Sequence, residues 1–170
     1  VTLLDKANVL ATSRLWREVV TEYAKTQPDI TLECNYIDSA AMEVITKPSK
    51  FDVILTENLF GDIISDEASV IAGSLGILPS ASMGEKTALY EPIHGSYPQA
   101  KGKNIANPMA TILSAAMLLE YSFGMHEESR AIINAVDRAM NENIVTEDIN
   151  KGKCTTSEVG DKIAEFVLAD

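Results

Sequence analysis

Apolar positions along the chain follow two periods, and the switches between them mark the elements. Val1 to Leu4 reads as a buried strand, and Asp5-Lys6-Ala7-Asn8 as a polar turn. Leu15, Trp16, Val19, Val20 and Tyr23 then recur at helical spacing. They predict a helix running to about Lys25, with Asn8 placed to cap it and these side chains on one packed face. Trp16 reads as a core or interface anchor, and Gln27-Pro28-Asp29 ends the helix. From Ile30 to Ile37 the period falls to two, with Ile30, Leu32, Cys34 and Tyr36 on one side, which predicts a half-buried strand. Asp38 and Ser39 cap a short helix over 40–46, and Pro48 stops it. Phe51 to Thr56 reads as a buried strand, and Asn58 opens a second apolar run of helical type. The first 72 residues thus read β-α-β-α-β-α, the order of helices packed on a sheet.

The texture changes near Gly73, the candidate boundary between a segment 1–72 and a segment 73–170. A loop rich in Gly and Pro leads to a hairpin, Ser80–Met83 and Thr87–Tyr90 around Gly84-Glu85. A second loop starts at His94 and reaches Asn107-Pro108, where Asn as cap and Pro at the first helical position start a helix. That helix, to about Phe123, is apolar nearly all round and is expected to be deeply buried, with Gly124 ending it. A further helix covers about 127–141, with Ile132, Val136, Ala139 and Met140 inward. Thr155 to Glu158 fits a capping box for the last helix, marked by Val159, Ile163, Phe166 and Val167.

Composition narrows the partners. With 170 residues, 46% of them hydrophobic, the chain has enough material for a core. A net charge of −11 argues against nucleic acid or an anionic membrane surface. No apolar stretch is long enough to cross a bilayer. Cys34 and Cys154 are too few for a disulfide framework, so a reduced, cytoplasmic setting is expected. The chain opens on a strand, with no initiator Met or signal peptide, so the expectation is one half of a longer protein.

The candidate chemistry is acidic. Asp62 and Asp66 stand four apart, so on a helix their carboxylates share one face. Paired carboxylates of this kind suit a hard divalent cation such as Mg²⁺ or Mn²⁺; the same spacing also fits acids favoured by the positive end of a helix. Asp38 follows a strand and Asp62 lies shortly after another, and in open sheets ligand sites gather at strand carboxyl ends. Lys6, also at a strand end, is a proton-transfer candidate or else a surface lysine. The loop from His94 to Asn107 is either a ligand loop, with Gly95 and Gly102 admitting close backbone approach, or a plain connection with a helix cap. The Gly-x-Gly-x-x-Gly fingerprint, the Walker A loop, zinc-ligand spacing and Gly-x-Ser-x-Gly are all absent from the sequence. Arg14, Arg17, Arg130 and Arg138 lie outside these motifs, so a clamp for a polycarboxylate substrate is not expected here.

These motifs carry a resemblance. Asp5-Lys6-Ala7-Asn8-Val9-Leu10, the run Asn58 to Asp66, the run Gly73 to Ala81, Glu91 to Ser96 and Ile105-Ala106-Asn107-Pro108 resemble the β-decarboxylating dehydrogenases over essentially the whole chain. The match is to the back half of a family member, most closely of the kind that acts on 3-isopropylmalate in leucine biosynthesis. The resemblance implies an α/β fold of the isocitrate/isopropylmalate dehydrogenase type, with two lobes and no Rossmann topology. Residues 1–72 would belong to the dimerising, substrate-holding lobe and residues 73–170 to the cofactor lobe. It implies an NAD-dependent, Mg²⁺- or Mn²⁺-requiring oxidoreductase that is a homodimer. A small 2-hydroxy acid passes hydride to NAD⁺, and the resulting 3-carboxy-2-oxo acid loses CO₂. The sister substrates isocitrate, homoisocitrate, tartrate and malate, or a non-catalytic dimerisation module, are the alternatives.

Carried over by resemblance, Asp38, Asp62 and Asp66 match the metal and substrate carboxylates, with Asp38 reaching across the dimer. Lys6 matches the lysine of proton transfer, also acting across the dimer, and contributes to the substrate site with Asp38. The helix after Asp66 would form part of the dimer interface. His94, Gly95, Ser96 and Asn107 match the loop around the adenosine end of the cofactor. One departure stands out: where the family usually has Asp then Ile, this chain has Gln99-Ala100. Gln99 can still bond a ribose hydroxyl but lacks the charge that repels a 2′-phosphate. The family's substrate arginines and catalytic tyrosine belong to the front half, so this chain alone is expected to be inactive.

Overall fold

A computed structural model describes residues 1–169. It divides into two compact units, Val1–Ile71 and Ala72–Asp170. In the first, β1 (Thr2–Asp5) lies at the centre of a parallel sheet ordered β2-β1-β3, with β2 at Glu33–Tyr36 and β3 at Ile54–Leu55. Thr2 pairs with Glu33 on one side and Ile54 on the other. Parallel neighbours need crossovers, and α1 (Ala11–Ala24) and α2 (Ile37–Thr46) supply them. With α3 at Asn58–Ala72, the order read from the apolar periods is the order observed.

Leu3 and Leu4 are both fully buried, as a central parallel strand requires. Leu4 clusters with Ala40 and Val44 of α2 and Ile64 of α3. Other sequence expectations fail locally. Leu15, Val19 and Tyr23, expected to face inward from α1, are exposed, and Ser13 is the buried residue of that helix. Cys34 and Tyr36 of β2 are exposed as well. On α1 the helical period holds, but its apolar stripe faces solvent; on β2, an edge strand of only Glu33–Tyr36, the alternation expected over 30–37 is not kept, since Asn35 is more buried than Cys34 or Tyr36, and the Tyr36 ring carries the Arg17 guanidinium of α1 at 4.9 Å. Asn8 is not the cap of α1, which starts at Ala11 after Leu10 without a side-chain cap. Asp38 and Ser39 sit inside the first turn of α2 rather than capping it, and an acid there is favoured by the helix dipole.

The second unit contains the expected hairpin, β4 (Pro79–Met83) against β5 (Ala88–Pro92), with Ala81 opposite Tyr90. Three helices follow: α4 (Met109–Phe123), α5 (His126–Asn141) and α6 (Thr156–Ala169). Gly124 closes α4 in the left-handed conformation at φ 66°. Met109, Val136, Ala139, Val145, Val159 and Ile163 form the core with Phe166. The capping box is made: the Glu158 carboxylate accepts from Thr155 N at 2.8 Å, and Thr155 Oγ1 accepts from Glu158 N at 3.3 Å. The uniform burial expected for α4 holds only in part. Met109, Ala110, Ser114 and Ala116 are buried, but Tyr121 and Phe123 are exposed, because the last turn runs past the core.

Candidate functional site

In the first unit, β1 ends at Asp5 and α2 begins at Ile37, so the parallel pairing of Asp5 with Tyr36 puts Lys6 and Asp38 side by side. Lys6 Nζ lies 2.7 Å from Asp38 Oδ1. The bond from Lys6, with help from the N–H groups of Asp38 and Ser39, holds the Asp38 carboxyl below the usual carboxylate range. Beneath this pair Asp5 is fully buried and receives a forked contact from Arg17, Nε at 2.6 Å and an amino nitrogen at 2.8 Å. Its Oδ1 also accepts from Ala7 N at 2.8 Å, which fixes the turn carrying Lys6. Arg17 is therefore committed to Asp5.

Asp62 and Asp66 lie one turn apart on α3, both exposed. Their carboxylates are the donors a hard divalent ion takes. Among the described residues, however, no three His, Cys, Asp or Glu side chains converge on a metal position. Asp38 is thus not gathered with Asp62 and Asp66 within one chain, and these acids fit a divalent ion in kind without forming a complete site by themselves.

The second unit holds a cavity of about 580 Å³. His94, Gly95 and Ser96 line it, as does Asn107 at the start of α4. Leu75 and Ile105 add apolar wall. A few polar groups set in apolar walls suit a flat base with polar edges, and the volume is that of a small-molecule site. Asn107 Oδ1 accepts from Met109 N at 2.9 Å, so the expected cap is in place. Gln99 and Ala100 belong to the adjoining 3-10 turn Pro98–Ala100; Gln99 is exposed, Ala100 is buried, and neither lines the cavity. Ser74, Glu147 and Asp148 do line it and were not singled out from the sequence. Asp148 accepts hydrogen bonds from Ser74, Thr146 and Asn107, the last at 2.9 Å.

The family model described as isocitrate/isopropylmalate dehydrogenase matches residues 1–163. The chain belongs to that family. The 3-isopropylmalate dehydrogenase of Halalkalibacterium halodurans is 51% identical over 99% of this chain and 48% of its own length. That of Aquifex aeolicus is 53% identical over 96% of this chain and 46% of its own. Among solved structures, isocitrate dehydrogenase from Methylococcus capsulatus superposes with a TM-score of 0.93 at 40% identity, covering 98% of this chain and 50% of the other. A β-decarboxylating dehydrogenase from Thermococcus kodakarensis gives 0.84 at 40% identity, covering 99% of this chain and 49% of its own. The chain therefore spans about half the length of the curated relatives it matches.

Membership of the isocitrate/isopropylmalate dehydrogenase family agrees with the fold class read from the motifs. Ser74 lies within the run Gly73 to Ala81, where nothing marked it as a lining residue, whereas Glu147 and Asp148 were missed for a structural reason. Thr146–Ile149 lies in an irregular turn between α5 and α6, where neither periodicity nor a motif marks a position. The only signal was an acid in a segment with no helical or strand period.

Proposed function

We propose that this chain supplies the back half of an NAD-dependent β-decarboxylating dehydrogenase that oxidises 3-isopropylmalate to 4-methyl-2-oxopentanoate in leucine biosynthesis. The observation that carries the reading is the cavity of the second unit, bounded by His94-Gly95-Ser96 and Asn107, in a chain of this family. The substrate choice is supported by the relatives: those named 3-isopropylmalate dehydrogenase are 51% and 53% identical, against 40% for the isocitrate enzyme. In this reading residues 1–72 belong to the dimerising lobe and residues 73–170 to the cofactor lobe, and the enzyme is a cytoplasmic homodimer.

The chemistry is divided between the bound groups and the side chains. When bound, Mg²⁺ or Mn²⁺ would polarise the oxygens of the 2-hydroxy acid, and NAD⁺ would take up its hydride. Asp62 and Asp66 would hold the ion from one helix face, and Asp38 of the other subunit would complete the set. Lys6 Nζ, already 2.7 Å from a carboxylate oxygen, carries the proton to and from the substrate. His94, Gly95, Ser96 and Asn107 bind the adenosine end of NAD⁺. Gln99, on the adjoining turn, offers a hydrogen bond to ribose and relaxes the preference for NAD over NADP, because it carries no charge against a 2′-phosphate. The substrate arginines lie outside this chain, so the 170 residues are inactive alone.

Calorimetry with Mn²⁺ on this chain, beside an Asp62→Ala, Asp66→Ala double variant, tests the metal assignment. Binding that disappears in the variant is the expected result. Unchanged binding by the variant refutes the assignment of these two acids. Turnover of 3-isopropylmalate with NAD⁺ and Mn²⁺ is expected only when the other half is supplied; turnover by this chain alone overturns the division of the site.

A further inference from the structure

Asp148 stands at the rim of the cavity on the turn between α5 and α6, and its two oxygens collect donors from three segments. Oδ2 accepts from Ser74 Oγ and from Asn107 Nδ2, the latter at 2.9 Å, while Oδ1 accepts from Thr146 Oγ1. Two of these donors are tied a second time. Ser74 Oγ accepts from Gly76 N at 3.0 Å, and Asn107 Oδ1 accepts from Met109 N at 2.9 Å.

The Asn107 carboxamide is therefore held at both ends. Its oxygen caps α4, and one of its N–H groups is spent on Asp148. A carboxylate only accepts, so the flipped amide would set oxygen against oxygen at Asp148 and a donor against a donor at Met109. The backbone is pressed against this arrangement. A Cβ at Gly76 would lie 2.7 Å from Asn107 Cβ and 3.0 Å from Asp148 Oδ2. Burial pushes the Asp148 carboxyl up, but the bonds from Ser74, Thr146 and Asn107 outweigh it and hold it below its ordinary range, so it is ionised at neutral pH.

We propose that Asp148 is a positioning residue of the nucleotide pocket: it fixes the orientation of the Asn107 amide and ties the Ser74 loop to it. The pocket is then formed before the nucleotide arrives, which lowers the ordering cost of binding. This rests on the reading of the cavity as the adenosine site of NAD⁺.

The test is calorimetric binding of NAD⁺, and of AMP as the adenosine end alone, to the 170-residue chain and its variants. Asp148→Ala is expected to weaken both by about tenfold, and Asn107→Ala by a similar factor; in the double variant the losses overlap and the second change costs less than about twofold. Asp148→Asn must turn its NH₂ group toward one of the three donors and is expected to fall between wild type and Asp148→Ala. Ser74→Ala, which removes one donor, gives a smaller loss of the same sign and serves should Asp148→Ala fold poorly. In the free chain, NMR of the Asn107 side-chain amide is expected to show one Hδ2 proton shifted downfield and slow to exchange with solvent, and Asp148→Ala to return that proton to ordinary shift and fast solvent exchange. Wild-type affinity in Asp148→Ala, or strictly additive losses, overturns the role of Asp148 and leaves the nucleotide reading standing. A wild-type chain that binds neither NAD⁺ nor AMP overturns the nucleotide reading and the proposal with it.

Discussion

Three acids of this chain are held in two different ways. Asp5 is fully buried and depends on Arg17, whereas Asp38 and Asp148 are open to solvent and are held ionised by donors around them. For Asp148 this has a consequence for stability. Its carboxyl is depressed in the folded state, so the unfolded chain binds more protons in the acid range. The stabilisation is fully present above the ordinary carboxylate range and is lost as pH falls through the folded value. Melting curves of wild type and Asp148→Asn are therefore expected to differ at neutral pH and to converge on acidification. A constant gap across pH would show that the charge contributes nothing. In the sequence, Asp62 and Asp66 stand out by spacing, whereas Asp148, in an irregular turn, is marked by no period or motif and gains its role only through the fold.

At the scale of elements, helix start and stop signals were legible to within a residue or two. Asn107-Pro108, Gly124 and the Thr155–Glu158 box all act where the sequence placed them. Burial was less legible. Residue Met109, at the first turn of α4, is fully buried in the core with Val136 and Val159, and is the element's main anchor. Met109→Ala removes its side chain beside the Asn107 cap, and thermal unfolding is expected to show a loss of about 2–5 kcal/mol. By contrast Phe123→Ala, at the exposed end of the same helix, is expected to cost under about 0.5 kcal/mol. Equal losses at both positions would contradict the burial gradient along α4.

At the scale of the molecule, the first unit leaves much apolar surface uncovered. Leu15, Val19 and Tyr23 of α1 and Leu59, Ile63 and Val70 of α3 are all more than half exposed, from 53% at Ile63 to 74% at Val70. Exposed apolar stripes on helices of this kind favour association. The chain is expected to sediment as a dimer or larger species at micromolar concentration, and an Ile63→Asp, Val70→Asp variant to move toward monomer. A wild type that stays monomeric would remove the support for a homodimer built on α3. Among the described residues no helix is long and apolar enough to cross a membrane.

The sequence by itself determined the order of elements, the helix signals and the family, because period, caps and long motifs are local properties of the chain. It also brought forward Lys6, Asp38, Asp62, Asp66, His94 and Asn107 as residues able to do chemistry. Only the tertiary structure decided which of them meet. Parallel pairing of β1 with β2 brings Lys6 to Asp38, and the turn between α5 and α6 brings Asp148 to Asn107 across a separation of 41 residues. It also decided that the stripes on α1 and α3 remain open. A stripe records what a helix is built to bury, but whether it is buried depends on what packs opposite, and that information lies outside the helix.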